Sequence, residues 1–438
     1  MRALYNLLWH LALPFLPLRL WWRARREPGY RERIAERYGR YGDDRAATRG
    51  PVLWVHAVSL GETRAAVPLI ARMKRAHPDA TVLLTHMTAT GRAAGRLLFG
   101  DGVVQTWLPY DVPFAVRAFL AHFRPCAGLI IETELWPNLV TLAHDGGVPV
   151  FLVNARMSEK SATGYARVPS LARPMMTSLA GVAAQAEADA ARLAALGAPK
   201  PVVTGNLKFD TEIGDNALAL GREFRTRFGE TRPVWLAGST RDGEEALILE
   251  ALAARALPPG TLTVIVPRHP QRFDEIAGLL RQRGVPFVRR SDNTAVPADT
   301  GVVLGDSMGE MAGYCAAADV VFVGGSLLPL GGQNLIEPIA AGRPTLVGPH
   351  MFNFAEATEK ALAAGAAREI ADARALVAEV AALLGDPARR NAMREAALAF
   401  HAAHRGAADR LWTWLAPQLA TAIANTAAGA APRGDVSP

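Results

Sequence analysis

The sequence predicts an α/β protein with two doubly wound halves. Three observations support this. Short apolar runs alternate with longer helical patterns from Pro51 onward, most runs are rich in Val, Ile and Leu, and the alternation restarts once, after a break at 210–223. Such runs are typical of parallel strands buried on both faces. We therefore expect two parallel sheets hinged near residue 215, with a ligand cleft between the halves at the carboxyl ends of the strands.

Six strands are expected in each half. In the first half they are 52–57, 81–86, 103–108, 128–131, 148–153 and 202–204, with helices such as 63–76 and 113–122 between them. In the second half they are 234–237, 262–266, 285–288, 302–304, 320–323 and 345–347. The alanine-rich end, 421–438, is expected to be frayed. The expected domains are a membrane-anchor or interfacial helix (1–25), the two halves (26–212 and 213–405) and a C-terminal helix with its tail (406–438).

Composition and charge exclude several classes of protein. Apolar residues make up 50% of the chain and charged residues 20%, which excludes a wholly disordered chain. Cys126 and Cys315 are the two cysteines, and their spacing excludes a disulfide framework and a structural zinc site. Of the net charge of +7, residues 1–50 carry +6, from eleven arginines and five acidic residues. A nucleic-acid binder usually has a basic stripe on its folded body, so this class is disfavoured.

The basic end combines apolar residues, tryptophans and arginines. As a helix, the mostly apolar run 3–18 would span about 24 Å, short of the ~30 Å hydrocarbon core. Three tryptophans (9, 21 and 22) lie here, and four arginines (19, 23, 25 and 26) follow the run. This mixture is typical of an interfacial or signal-anchor helix, and no cleavage site for a removed signal peptide follows. We expect membrane attachment with the body in the cytoplasm; the alternative is an amphipathic helix packed on the body.

Acidic and basic residues follow strands of the first half. Glu62 comes just after the first strand, where it suits a general base, although Ser59-x-x-Glu62 is also a capping box. Glu132 and Glu134 follow the fourth strand as an ordinary complement of a helix dipole. They are a weak metal site because no His or further Asp accompanies them. Lys208 is one of five lysines among 48 basic residues, which hints at a need for a compact ammonium group.

Candidate anion-binding residues follow strands of the second half. Arg268 comes straight off a strand, where it suits a phosphate or merely lies on a loop rim. The segment 305–310, GDSMGE, is expected to start a helix whose amides face an anion.

A glycine-rich segment, 319–349, contains two Gly-Gly pairs before a helix expected near Asn334. Glycines let a phosphate approach the backbone, and Glu337 is placed to accept hydrogen bonds from ribose. The alternative is a tight turn with a helix cap. The segment is neither a Walker A loop nor GxGxxG, which disfavours P-loop NTPases and NAD-type dehydrogenases.

Ten motifs, in the same order as in the family and within residues 10 to 400, identify a resemblance. They are HAVSLGET, THMTATGR, LPYDVP, ETELWPN, NARMSEKS, TGNLKFD, PRHPQRF, GDSMGE, VGGSLLPLGGQN and GPHMFNF. The chain resembles the 3-deoxy-D-manno-octulosonic acid (Kdo) transferases of lipid A assembly, which are membrane-associated glycosyltransferases with a GT-B fold. The resemblance implies transfer of Kdo from CMP-Kdo to a hydroxyl of the lipid A precursor, at the cytoplasmic face of the inner membrane and without a metal or cofactor.

The resemblance also implies residue roles. Glu62 matches the proton acceptor, and Glu132 and Lys208 match positions that stabilise the transition state. The positions that match the CMP-binding residues are Pro267, Arg268, Met308, Gly309, Glu310, Asn334, Leu335, Ile336 and Glu337. Gln333 stands where the family usually has His, so hydrogen bonding is retained there but a proton or charge role is not.

Two alternatives stay open. Another GT-B enzyme, such as a nucleotide-sugar epimerase, would differ in its choice of donor. A non-catalytic, membrane-bound nucleotide sensor would bind CMP without turnover.

Overall fold

The computed structural model describes residues 1–25, 27–42, 50–211 and 213–430. The chain divides into two compact units: a first unit made of Met1–Asp210 and the segment from Gly406 on, and a second unit made of Thr211–Arg405. The boundaries expected after residues 25 and 212 adjoin Arg26 and Glu212, which lie outside the described residues. Of the segment 406–438, expected as a separate element, the described part 406–430 belongs to the first unit.

The first unit contains a seven-stranded parallel sheet in the order β3-β2-β1-β4-β5-β6-β7. Its strands are β1 (Val52–His56), β2 (Thr81–His86), β3 (Val104–Trp107), β4 (Pro125–Ile131), β5 (Val150–Ala155), β6 (Gly181–Ala184) and β7 (Val202–Val203). The sequence predicts all of these except β6, whose residues GVAA are too few and too small to form a recognisable apolar run. The chain order reverses between β1 and β4, which creates a switch point of the kind where α/β sheets bind ligands.

The second unit contains another seven-stranded parallel sheet, in the order β10-β11-β9-β8-β12-β13-β14. Its strands are β8 (Val234–Thr240), β9 (Leu262–Pro267), β10 (Phe287–Arg289), β11 (Val302–Leu304), β12 (Val320–Val323), β13 (Thr345–Val347) and β14 (Ala367–Glu369). Here the sequence misses β14, because two of its three residues are charged and exposed.

Helices connect the strands and cover the sheets. They are α1 (Arg2–Ala12), α2 (Leu16–Arg23), α3 (Leu60–Ala65), α4 (Val67–Ala76), α5 (Ala89–Phe99), α6 (Pro113–Phe123), α7 (Pro137–Asp145), α8 (Glu159–Ala166), α9 (Pro169–Thr177), α10 (Glu187–Ala195), α11 (Asp215–Phe228), α12 (Glu244–Ala254), α13 (Phe273–Gln282), α14 (Met311–Ala317), α15 (Ile336–Ala340), α16 (Ala355–Ala363), α17 (Ala373–Gly385), α18 (Pro387–His404) and α19 (Ala407–Ala430). The helix expected at 63–76 is interrupted at Ala66, because Pro68 has no amide hydrogen to continue the helical ladder.

Both faces of the first sheet are buried, as the apolar runs predict. Leu53 and Val55 of β1 belong to one core, which also contains Leu411 and Leu415 of α19. Trp54, between them, belongs to the core on the opposite face with residues of α6 and α7. This follows from the alternation of side chains along a strand.

The C-terminal helix α19 is an integral part of the first unit. Its Leu411, Leu415 and Leu419 are fully buried, and the Asp210 carboxylate accepts hydrogen bonds from the amides of Gly406, Ala407 and Ala408 at its start. The expectation of a frayed end from residue 421 is wrong for 421–430, which continue the helix because its leucine stripe packs on the sheet. Residues 431–438 lie outside the described residues.

The N-terminal segment forms two short helices, α1 and α2, separated by a 3₁₀ turn at Leu13–Phe15. α1 packs on the first unit through Arg2, Tyr5, Asn6 and Trp9, as the amphipathic alternative predicts. Its other face exposes leucines. Among the helices of the described residues, none is long and apolar enough to cross a membrane.

Candidate active site

Glu62 is the third residue of α3, in the first turn of the helix that follows β1, and it has two structural roles at once. Ser59 is the N-cap of α3, and its hydroxyl accepts from the Glu62 amide at 3.4 Å. The Glu62 carboxylate in turn accepts from the Val58 amide (2.7 Å to Oε2) and the Ser59 hydroxyl (2.8 Å to Oε1). The Ser59 cap of the expected capping box is therefore confirmed, but the carboxylate accepts from the Val58 amide in place of the Ser59 amide. These bonds leave the carboxylate fixed in one orientation near the end of β1.

The environment of Glu62 makes its carboxylate a stronger base than usual. Its side chain is buried, with 9% exposed. Burial raises the pKa of Glu62 to about 7, the hydrogen bonds from Ser59 and Val58 oppose this rise, and the negative charges of Glu132 and Glu134 add to it. A carboxyl group with a pKa near the operating pH is suited to accept a proton during catalysis.

The backbone before α3, which holds the Glu62 carboxylate, is supported by the start of α5, within THMTATGR. The Thr88 hydroxyl donates to the Val58 carbonyl oxygen at 2.7 Å, so the backbone of a single residue, Val58, links Thr88 to the Glu62 carboxylate. His86 Nδ1 lies 2.9 Å from the carbonyl oxygen of Ala57. A Cβ at Gly91 would lie 2.7 Å from the Val58 oxygen, so only glycine fits this close approach. The motif THMTATGR by itself predicts no role for Thr88.

Glu132 and Lys208 form an ion pair near the same edge of the sheet. Glu132 directly follows β4, the neighbour of β1, and Lys208 lies in the 3₁₀ turn Leu207–Asp210 after β7. Their Oε1 and Nζ atoms are 2.8 Å apart, with 16% and 29% of the side chains exposed. Asn154 Oδ1 accepts from the Leu207 amide at 2.9 Å and so holds the lysine turn. The structure thus brings together residues that are 76 positions apart in the sequence.

Glu134 is the third carboxylate of this region. Burial raises its pKa, and the charge of Glu132 adds to the rise. Within residues 1–25, 27–42, 50–211 and 213–430, no group of three His, Cys, Asp or Glu side chains is arranged as a metal site.

Arg268 occupies the corresponding edge of the second sheet. It follows Pro267, the last residue of β9, and its amide donates to the Thr240 carbonyl oxygen at 2.9 Å. Its Nε donates to Oε1 of Gln333 at 3.2 Å. Gln333 is the position where the chain departs from the usual family pattern. It is therefore a hydrogen-bond partner of Arg268, the candidate phosphate-binding residue.

The other candidate nucleotide-binding residues follow strands on either side of β9 and β8. Met308 is 55% exposed and Gly309 has a positive φ of 79°, whereas Glu310 pairs with Arg290 at 3.0 Å. Leu335 and Ile336 are fully buried, and the Ile336 amide donates to Asn334 Oδ1 at 3.0 Å. Strand order β11-β9-β8-β12 brings both segments to the edge where Arg268 lies.

Sequence reasoning missed Glu244, which organises the glycine-rich loop. This fully buried residue is the first residue of α12, the helix that follows β8, and Glu62 is likewise in the first turn of the helix that follows β1. Its carboxylate accepts from the amides of Gly325 (2.6 Å), Ser326 and Leu327 (both 2.9 Å). These amides are therefore already bonded within the chain, and the tight-turn alternative describes the loop better at this point. The available signal was the adjacent pair Glu244-Glu245 at a helix start.

The comparisons with known proteins agree with one another. Residues 32–211 match the family described as 3-deoxy-D-manno-octulosonic-acid transferase (kdotransferase). The 3-deoxy-D-manno-octulosonic acid transferase of Bordetella pertussis is 47% identical over 430 residues, covering 94% of this chain and 99% of the relative. The chain belongs to the Kdo transferase family. The Kdo transferase of Haemophilus influenzae is 37% identical and covers 90% of this chain and 93% of its own.

Membership of the Kdo transferase family makes this protein a glycosyltransferase, with a role in lipid A and lipopolysaccharide synthesis. Solved structures support the GT-B fold. Anabaena HepE in complex with UDP has a TM-score of 0.55 at 15% identity, covering 85% of this chain and 100% of HepE. The UDP-GlcNAc 2-epimerase of Neisseria meningitidis has a TM-score of 0.54 at 16% identity, covering 83% of this chain and 100% of the epimerase. At such identities the likeness concerns the fold alone.

Proposed function

We propose that this Kdo transferase moves Kdo from CMP-Kdo to a hydroxyl of the lipid A precursor by an inverting displacement that requires no metal, with Glu62 as general base. The observation that carries this proposal is the fixed, buried Glu62 carboxylate, with a pKa of about 7, in the region of the Glu132–Lys208 pair. Family membership identifies Kdo as the sugar that is transferred, and the geometry of Glu62 supports it as the candidate base.

In the proposed step, the acceptor hydroxyl oxygen attacks the anomeric carbon of Kdo. Its proton passes to the Glu62 carboxylate as the new carbon–oxygen bond forms. The bond from the anomeric carbon to the phosphate oxygen breaks, and its electron pair leaves with CMP. Attack from the side opposite the leaving group inverts the configuration at that carbon.

The Glu132–Lys208 pair is proposed to stabilise the transition state. Lys208 supplies a positive charge where negative charge develops, a kind of stabilisation that is strong in sites shielded from water. Glu132 holds the ammonium group at 2.8 Å and so keeps it oriented.

The second unit is proposed to bind CMP at the carboxyl edge of its sheet. Arg268 suits the phosphate, because a guanidinium group forms two parallel charge-assisted hydrogen bonds with phosphate oxygens. Gln333 orients this guanidinium group through the contact at Nε. The segments 267–268, 308–310 and 334–337 are the proposed binding positions, and Glu337 is proposed to accept hydrogen bonds from the ribose hydroxyls.

The outer face of α1 and α2 is proposed to attach the protein to the cytoplasmic face of the inner membrane. The apolar residues that share this exposed surface, each at least 50% exposed, are Leu4, Leu7, Leu8, Leu11, Phe15 and Leu18. Trp21 and Trp22 are also exposed, and Arg25 lies over the Trp21 ring at 4.2 Å. An apolar surface bordered by indole and guanidinium groups is suited to the boundary between acyl chains and anionic headgroups.

Mass spectrometry of the product tests the reaction directly. Purified protein, CMP-Kdo and lipid A precursor should yield a product heavier by a Kdo residue, whereas UDP-sugars should yield none. Transfer from a UDP-sugar would favour another GT-B activity, and CMP binding without turnover would favour a sensor.

Vesicle binding tests the proposed membrane attachment. Leu7→Ser and Leu11→Ser should each weaken binding to anionic vesicles about tenfold, since each removes roughly 1.5 kcal/mol of apolar burial. Unchanged flotation of these variants with vesicles would contradict the assignment.

A further inference from the structure

A five-residue connector, 132–136, joins β4 to α7 and carries both Glu132 and Glu134. At its first residue the chain turns sharply, because Glu132 has a φ of 65°, a left-handed conformation that is uncommon outside glycine. The Glu132 amide donates to the Val153 carbonyl oxygen at 3.0 Å. A short connector that begins in an unfavourable conformation depends on the contacts at both of its ends.

The other end of the connector is held by Asp111, from the LPYDVP segment. The N-cap of α7, Trp136, makes no side-chain cap. Instead the Asp111 carboxylate accepts from the backbone amides of Asn138 (3.0 Å) and Leu139 (2.7 Å). The backbone carbonyl oxygen of Asp111 accepts from Asn138 Nδ2 at 2.7 Å. Asp111 is 3% exposed. A buried carboxylate from a distant segment therefore determines where α7 begins.

Helix α1 bonds to the same two residues. The Tyr5 hydroxyl donates to Asp111 Oδ2 at 2.8 Å, Arg2 Nε donates to Asn138 Oδ1 at 3.1 Å, and Asn138 Nδ2 donates to Asn6 Oδ1 at 2.7 Å. One helical turn further on, the Trp9 ring lies 6.1 Å from the Trp136 ring of the connector, in an edge-on arrangement. These four residues of α1 have the spacing of one helix face. This inner face contacts the connector and the start of α7, while the leucines of the other face are exposed.

We propose that α1 is a positioning element for the active site: its inner face, through Asp111 and Asn138, holds the connector so that Glu132 meets Lys208. The proposal rests on the proposed function, since it assumes that the Glu132–Lys208 pair takes part in transfer. Its consequence is that α1 does more than attach the protein to a membrane. Turnover of an acceptor dispersed in detergent, which needs no membrane, also depends on the inner face of α1.

The test compares two tyrosine hydroxyls that tie the same N-terminal segment to the first unit. Tyr5→Phe removes the bond to Asp111. Tyr38→Phe removes the bond to the Leu13 carbonyl oxygen (3.4 Å), which does not involve the connector. Full-length variants are assayed with CMP-Kdo and lipid A precursor in detergent, together with binding to anionic vesicles and thermal denaturation.

We expect Tyr5→Phe to lower kcat about tenfold, the effect of losing one hydrogen bond to a charged group, with an unchanged KM for CMP-Kdo and unchanged vesicle binding. Asn6→Ala, which removes the acceptor of Asn138, should behave in the same way, and Tyr38→Phe should keep the wild-type kcat. The inference is overturned if Tyr5→Phe and Asn6→Ala keep their kcat. It is also overturned if all three variants lose kcat in proportion to their melting temperatures, because that result indicates a structural anchor only. Wild-type protein that transfers no Kdo would refute the proposed function and this inference together.

Discussion

The substitution Glu62→Gln tests the assignment of the base with little change in shape. In the wild type the Val58 amide lies 2.7 Å from Glu62 Oε2, and the side-chain oxygen of Gln can accept the same hydrogen bond. The Ser59 hydroxyl, which donates to Glu62 Oε1, can turn to accept from the side-chain nitrogen of Gln. The cap of α3 is retained because it is formed by the Ser59 side chain. The substitution therefore removes the proton-accepting capacity and keeps the turn.

The expected loss follows from the role of Glu62. A positioned general base contributes about 10²–10⁴-fold to the rate, or roughly 2.7–5.4 kcal/mol of transition-state stabilisation. Because the pKa of Glu62 is raised to about 7, close to the operating pH, we expect a loss of about 10³-fold in kcat. The affinity for CMP should stay unchanged, since the candidate CMP-binding residues belong to the second unit.

The assay is steady-state Kdo transfer over a range of pH, with CMP binding measured by calorimetry. A base must be ionised to act, so wild-type kcat/KM should rise with pH below about 7, roughly tenfold per unit, and level off above it. Glu62→Gln should lose this dependence. The control is Glu187→Gln, which removes an exposed carboxylate of the same unit and should change neither profile. The assignment of Glu62 as the base would be refuted if Glu62→Gln kept a near-normal kcat. It would also be refuted if kcat/KM of this variant still fell with decreasing pH below about 7.

Four further outcomes follow from the contacts described. Thr88→Val, which removes the hydroxyl bonded to the Val58 carbonyl oxygen, should lower kcat/KM about fivefold to tenfold, whereas Thr88→Ser should retain activity; equal losses would implicate the methyl group instead. Lys208→Met should lower kcat about 10²-fold in the transfer assay, and wild-type kcat would remove the ion pair from the mechanism. Arg268→Ala should weaken CMP binding about 10- to 100-fold by calorimetry, and an unchanged Kd would place the phosphate elsewhere. Leu415→Ala should destabilise the protein by about 2–5 kcal/mol in denaturant unfolding, and an unchanged midpoint would contradict the packing of α19 on the sheet.

Local patterns were sufficient to predict most of the sheets. A strand that is buried on both faces must be apolar along its whole length, so β1 and β9 are visible in the sequence. The strands that were missed, β6 and β14, have small or charged residues and depend on neighbouring strands for their conformation. The expectation of a frayed end in α19 is wrong for a related reason. Its many alanines suggest fraying, but buried leucines from its earlier turns hold the helix on the sheet.

In the candidate site, too, local patterns predicted some features and tertiary contacts decided the others. Placement after strands identified Glu62, Glu132, Lys208 and Arg268 as candidates, because parallel strands bring their carboxyl ends to one edge. Spacing did not reveal which of them meet, since the Glu132–Lys208 contact joins strands that are not adjacent in the sheet. Nor did it reveal that Glu244 occupies the amides of the glycine-rich loop, because that bond joins residues more than 80 positions apart.

By itself, then, the sequence determined the fold class, the family and the residue types available at the carboxyl edges of two sheets, since these depend on local order and on motifs. Tertiary structure alone decided which carboxylate is buried with a raised pKa, which lysine pairs with which glutamate, and that α1 bonds to the start of α7. The physical reason is that burial, charge pairing and buried hydrogen bonds depend on distances in space, which spacing along the chain does not determine.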